Sequence, residues 1–166
     1  DRYIGILKKK VNIKSTLKIL SYSFLGNFVG IIIFAYMFVK SGVNFEAIKS
    51  YIEPIAYSKL DLSVLELVLR GILCNFSVCL AVYSGIRIKS EVGKIIMMFF
   101  CVFTFALAGF EHSIANLAIF SIAYFSLGGL PILLALKNIV WVVIGNIIGG
   151  GFILGFLLII SSINEN

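Results

Sequence analysis

Charge is what this sequence has least of. Of 166 residues only 13% are charged, about half the share of a soluble domain, while 60% are hydrophobic against the usual 45–50% or so. So few charges cannot wet a globular surface, and one core cannot hide that much apolar side chain. Soluble enzyme, nucleic-acid binder and disordered tail are excluded together. Histidine occurs once, which leaves little for a metal site or a hydrolytic centre. Cysteine occurs three times, as Cys74, Cys79 and Cys101, all inside apolar runs and without metal-ligand spacing, so they read as small apolar packers. No signal peptide is visible, and an opening Asp1 rather than Met fits a fragment of a longer chain.

Long apolar runs are present instead. Ile19–Val39 is 21 uncharged residues, roughly 31 Å of helix at about 1.5 Å per residue, enough for one hydrocarbon core. Val64–Ile86 is 23 residues and carries Glu66 and Arg70; Ile139–Ile160 is 22. Ile95–Phe125, at 31 residues, is too long for one straight span and is interrupted at Ala108-Gly109-Phe110-Glu111-His112-Ser113. It is predicted to be a broken helix with halves Ile95–Leu107 and Ser113–Phe125. The expected fold is therefore an all-α integral membrane protein, a single transmembrane domain over residues 1–166 with four spans, embedded in a lipid bilayer and without a nucleic-acid partner. The net charge of +6 then reports basic loops facing anionic lipid.

Orientation follows from those basic residues. Arg2, Lys8, Lys9, Lys10, Lys14 and Lys18 precede the first span, and Arg87, Lys89 and Lys94 lie in the second connection, nine in all on one side. Lys40, Lys49, Lys59 and Lys137 make four on the other. The nine-residue side is expected to be cytoplasmic, and the C-terminus with it. The stretch Lys40–Ser63, containing Pro54, is expected as a long outward-facing loop.

An internal repeat shapes the architecture. Gly26-Asn27-Phe28-Val29-Gly30 in the first span matches Gly145-Asn146-Ile147-Ile148-Gly149 in the last, which runs on into Gly150 and Gly151. Small residues four apart, Gly26 with Gly30 and Gly145 with Gly149, let helix backbones approach closely. Two copies on helices running in opposite directions point to inverted repeats. The last copy closes a half of three helices, so the first should as well. Two helices are then expected ahead of it, with Asp1–Leu7 as the tail of the second, and the chain reads as an N-terminally truncated six-helix protein.

Charges within hydrocarbon are costly and usually functional. His112 sits at the break beside Glu111 and ahead of Asn116. A half-helix starting near Ser113 would aim its positive end and freed amides at the break, which suits an anion. Such a break is tolerable only where it lines a cavity or is buried in protein. Glu111 could orient the neighbouring helix by accepting buried amide hydrogen bonds. Glu66 and Arg70, four apart with the carboxylate first, read as a helical ion pair. Asn75 needs a partner across the bundle, and Phe105, two turns before His112, either plugs a lumen or packs as core. Lys59, at the outer end of the second span, reads first as a snorkelling lysine. No nucleotide loop, nucleophile elbow or metal cluster is present, so neither enzyme, cofactor nor metal is expected.

The string Gly109-Phe110-Glu111-His112-Ser113-Ile114-Ala115-Asn116 strongly resembles the formate/nitrite transporter family, which includes formate, nitrite and hydrosulfide channels. Arg70-Gly71-Ile72-Leu73-Cys74-Asn75, running into Val78-Cys79-Leu80-Ala81-Val82, and both Gly-Asn motifs support the likeness over essentially the whole chain. The resemblance implies an aquaporin-like six-helix protomer assembled as a homopentamer in the cell inner membrane, with one pore per protomer for small monovalent anions of weak acids. The chain would supply the third to sixth transmembrane helices, the fifth broken. His112 would be the pore histidine, with Glu111 and Asn116 as its acidic and amide neighbours. Lys59 would be the vestibule lysine drawing in anions, Asn75 and Asn146 pore-lining asparagines, and Phe105 the constriction aromatic. The broken second helix that would face the histidine has no counterpart here, and the link Ser126–Asn138 is shorter than in many members. A non-conducting membrane subunit, with the break as a packing device, is the alternative; a membrane enzyme ranks third.

Overall fold

A computed structural model describes residues 13–42 and 45–154 of the chain. Helix α1 spans Ile13–Lys40, α2 Phe45–Leu60, α3 Val64–Arg87, α4 Glu91–Leu107, α5 Ser113–Leu127 and α6 Ile132–Asn146, the last continuing as a π-helical stretch Ile147–Leu154. The described residues contain no strand. Three segments are long and apolar enough to cross a bilayer, Leu17–Lys40, Val64–Arg87 and Ile132–Gly151. Their outer surfaces carry bare hydrophobic side chains, with Phe34 71% and Leu133 82% exposed, as a lipid-facing surface requires. Cys74 and Cys101 are buried free thiols.

The local sequence explains where the helices begin and end. Ser63 caps α3 in a reciprocal box, its hydroxyl accepting from the Glu66 amide while the Glu66 carboxylate accepts from the Ser63 amide. Ser90 caps α4 by accepting from Gly93 N at 3.2 Å. Leu127 ends α5 at Gly128, whose φ of 75° suits a residue without a Cβ. Pro131 then starts α6, its carbonyl accepting from Leu134 N and Ala135 N.

Two expected boundaries move. The stretch Lys40–Ser63 is not a long loop, because most of it is α2, with Pro54 inside the helix. Ile48, Ile52, Ala56 and Leu60 recur every four residues and bury one stripe, while Pro54 falls on the exposed face. The last helix starts at Ile132 rather than Ile139, which shortens the link to Gly128–Pro131 and places Lys137 within α6. Lys137 donates to the Leu62 carbonyl at 3.1 Å, so the α2–α3 turn takes its charge. Residues Asp1–Leu7 and the end of the last expected span lie outside the described residues.

Two packing centres position the site. In one, Ala56 and Leu60 of α2, Leu117, Phe120 and Ala123 of α5, and Ala135 and Ile139 of α6 form the main apolar cluster, flanked by Phe28 of α1. In the other, α3 lies against α6 and its π-helical extension through glycine. A Cβ at Gly145 would stand 3.0 Å from Gly71 Cα and collide with the Val68 carbonyl, and one at Gly149 would collide with the Ile72 carbonyl. Only glycine permits that approach. Gly26 and Gly30 differ: a Cβ at either meets nothing within 4 Å among the described residues, and Asn27 between them is exposed.

Candidate functional site

The break between α4 and α5 is built by Gly109, whose φ of 67° reverses the chain. The last turn of α4 closes on itself, with Gly109 N donating to Ala106 O and Phe110 N to Phe105 O. Beyond it, the Glu111 amide donates across to the Arg70 carbonyl of α3 at 3.3 Å. His112 caps α5, its Nδ1 accepting from Ala115 N at 3.3 Å. Asn146 of α6 accepts from Ser113 N through Oδ1 at 3.1 Å, and its Nδ2 donates to Glu111 O at 3.1 Å and Gly71 O at 2.9 Å. The freed amides expected to await an anion are thus largely occupied, with those of Ser113 and Ala115 held by side chains of the protein itself.

Glu111 is 1% exposed and doubly engaged. Its Oε1 lies 2.6 Å from Lys59 Nζ, and its Oε2 accepts a short hydrogen bond from Asn116 Nδ2. Asn116 Nδ2 also donates to Asn138 Oδ1 at 2.8 Å, and Asn138 Nδ2 donates to the Lys59 carbonyl at 2.9 Å. Lys59, Glu111, Asn116 and Asn138 therefore form a closed polar ring joining α2, the break, α5 and α6. Every buried side-chain polar atom among the described residues has a partner, which is what a dry surrounding demands.

Beside the ring opens a cavity of about 640 Å³ walled by Lys59, Arg70, Phe105, Glu111, His112 and Asn116 with apolar residues of α2 and α5. The Phe105 and His112 rings lie 6.4 Å apart, tilted by 27°. Because His112 Nδ1 is occupied as an acceptor, the neutral ring carries its proton on Nε2, the remaining polar atom of the ring.

Of the residues singled out in the sequence, the structure brings Lys59, Phe105, Glu111, His112 and Asn116 to this one cavity. Asn75 and Asn146 do not face it. Asn75 Nδ2 donates to the Asn146 carbonyl at 2.6 Å, where the α-helical ladder passes into the π-helical stretch, so both asparagines tie α3 to α6. Lys59 has its side chain 15% exposed and ion-paired with Glu111. Sequence reasoning missed Asn138, 1% exposed, which closes the ring. The expected Glu66–Arg70 ion pair is present at 3.5 Å, and Arg70 lines the cavity as well, which the spacing did not show. A polar residue inside an apolar run was the signal available for Asn138.

The sequence model of one family, described as Formate/nitrite transporter, matches residues 2–160. The chain is similar to the uncharacterized transporter YwcJ of Bacillus subtilis, 34% identical over 154 residues that are 91% of this chain and 60% of the relative. It is also similar to a formate-nitrite transporter of Plasmodium falciparum, 34% identical with 93% of this chain and 53% of the relative covered. The nitrite transporter NirC of Escherichia coli is 31% identical over 82% of this chain and 52% of its own length. The chain thus spans about half to three fifths of the length of these relatives. Among solved structures, an FNT family ion channel superposes with a TM-score of 0.84 at 25% identity, covering 96% of this chain and 65% of the other. A pentameric formate channel with formate bound gives 0.79 at 23% identity, covering 93% and 69%.

Proposed function

The chain belongs to the formate/nitrite transporter family, a family of channels and transporters rather than enzymes, and from that premise we propose that it forms one wall of a membrane pore for small monovalent anions of weak acids. Formate, nitrite and hydrosulfide are the candidate permeants. The observation that carries this reading is the polar break itself. A histidine, a buried carboxylate and an amide meet at one cavity of about 640 Å³ in a largely apolar helical bundle.

Moving a bare anion past apolar walls such as Phe105 carries a large desolvation cost. His112, with Nδ1 holding the helix cap, has Nε2–H available to an anion in the cavity. Once the ring takes up a second proton and releases its Nδ1 cap, the imidazolium donates a proton to the anion, directly or through a neighbouring group, returning to the neutral ring while the weak acid passes as a neutral species. An unperturbed histidine titrates near pH ~6.5, so small changes of surroundings make such flux pH-dependent. Lys59 and Glu111 contribute as a paired wall rather than as separate charges, and Asn75 and Asn146 act behind the wall by fixing the break. Assembly as a homopentamer is part of the reading, supported by the likeness to a pentameric formate channel. So is residence in the cell inner membrane with the C-terminus cytoplasmic, supported by the nine basic residues on one side.

The test is flux. The full-length protein reconstituted in liposomes should dissipate gradients of formate, nitrite or hydrosulfide faster than empty vesicles. Well-assembled protein that passes none of the three would instead support a non-conducting subunit.

A further inference from the structure

The cavity wall holds two cations among the described residues, and they are differently engaged. Lys59 Nζ is 2.6 Å from a carboxylate that is itself almost wholly buried, and its side chain is 15% exposed. That pair is electrically closed toward the cavity. Arg70 is the other. Its side chain is 39% exposed, and its nearest carboxylate is Glu66, at 3.5 Å. Glu66 divides its oxygens: Oε1 faces Arg70, while Oε2 accepts from the Ser63 amide at 2.9 Å and from the Ser63 hydroxyl at 2.7 Å as part of the α3 cap. An exposed pair at that distance is weak. Arg70 also lines the same cavity as His112, and its backbone carbonyl receives the Glu111 amide of the break.

We propose that Arg70, rather than Lys59, is the cation that receives the anion in this cavity, and that its guanidinium favours planar anions offering two oxygens. This rests on the pore reading above. A guanidinium presents parallel N–H donors that match two oxygens on one atom, as in a carboxylate or nitrite; a single-atom anion such as hydrosulfide can use the charge but not the fork. Arg70 thus both raises the local anion concentration and sorts anions by shape, while His112 Nε2–H acts on the captured anion.

The test uses the full-length protein in liposomes, with formate and hydrosulfide as separate permeants, at about 20 mM and about 500 mM salt, so that electrostatic attraction is present and then screened. Arg70→Gln should lower formate flux about fivefold at low salt and much less at high salt, a salt dependence that a structural defect does not produce. Arg70→Lys should keep the low-salt attraction yet lose preference for formate over hydrosulfide. Glu66→Gln keeps a residue able to serve the α3 capping box and frees Arg70, so formate flux at low salt should rise about twofold. This variant decides the matter even where Arg70→Gln fails to assemble. A conducting parent whose assembled Arg70→Gln matches it at both salts, or whose Glu66→Gln is unchanged, overturns the proposal and leaves the pore reading standing. A parent that conducts none of these anions overturns both.

Discussion

Lys59 Nζ and Glu111 Oε1 lie 2.6 Å apart across 52 residues of sequence, and the pair fastens α2 to the break between α4 and α5. Taking two charges out of water is expensive, and their attraction offsets this only while both are present. Here the carboxylate has a second donor in Asn116, and the lysine backbone returns to the ring through Asn138. The pair is therefore a structural unit whose members should not be separable.

Lys59→Met should leave Glu111 as an uncompensated buried charge and destabilise the protein by about 3–5 kcal/mol. Adding Glu111→Gln should recover part of that loss, giving a coupling of about 1–3 kcal/mol. Thermal denaturation of the detergent-solubilised protein across the four members of this cycle reads it out. Additive losses would show that the contact does not matter. Any flux surviving in the Lys59→Met/Glu111→Gln double variant should depend on salt as in the parent, because the pair removed is neutral overall.

Much of the break was legible in the sequence and the ring was not, for identifiable reasons. Gly109, Glu111 and His112 interrupt an apolar run too long for one span, and the observed helices end at Leu107 and begin at Ser113, as that interruption implies. Helix α2 was hidden because Pro54 and scattered charges suggest a loop, while its apolar stripe recurs every four residues on one narrow face. Asn138 was hidden because it follows Lys137 at what looks like a polar border, yet the helix starts at Ile132 and carries Asn138 inward. The Glu66–Arg70 pair that the spacing implies is present at 3.5 Å, but spacing does not show that Arg70 also lines the cavity. Which cavity a side chain lines is a three-dimensional fact that residue spacing does not encode.

His112 holds the α5 cap through Nδ1, and on the proposed reading it serves the permeant through Nε2; substitutions can separate the two. Asparagine is a good helix cap, so His112→Asn should keep the Ala115 amide satisfied, preserve assembly, and change the pH profile of flux between about pH 5 and pH 8. His112→Leu removes the cap as well and should cost about 1 kcal/mol of stability besides. Flux measured across that pH range, alongside size-exclusion profiles, separates the two. An assembled His112→Asn with the parent's pH profile would remove the ring from the mechanism.

The glycine pairs make a contrast. Gly145→Ala and Gly149→Ala each drive a methyl group into α3 backbone and should sharply reduce yield of assembled protein. Gly26 and Gly30 face open space among the described residues, with Asn27 beside them exposed. If the inverted repeat holds, another helix packs on that face in the full-length protein as α3 packs on Gly145 and Gly149. Gly26→Leu should then disturb assembly about as severely as Gly145→Ala. Normal assembly of Gly26→Leu would mean that the repeat is one of sequence without matching packing.

Asn146 carries the densest polar load in the α3–α6 seam. Its side chain donates to the carbonyls of Gly71 and Glu111 and accepts from the Ser113 amide, joining α3, the break and the start of α5 through one residue. No water is available in an apolar bundle to take over these groups, so each loss leaves a buried polar atom bare, at about 1–3 kcal/mol apiece. Asn146→Asp keeps the acceptor for Ser113 but removes both donors and adds a charge near Glu111; Asn146→Leu removes everything. Both should destabilise the protein. A distinguishing signature lies in exchange of the Ser113 amide hydrogen, which should quicken markedly in Asn146→Leu and less in Asn146→Asp. Hydrogen–deuterium exchange on the peptide spanning the break measures it. Slow exchange at Ser113 in Asn146→Leu would mean that the break is held by the helices around it, with the Asn146 hydrogen bonds following rather than fixing its shape.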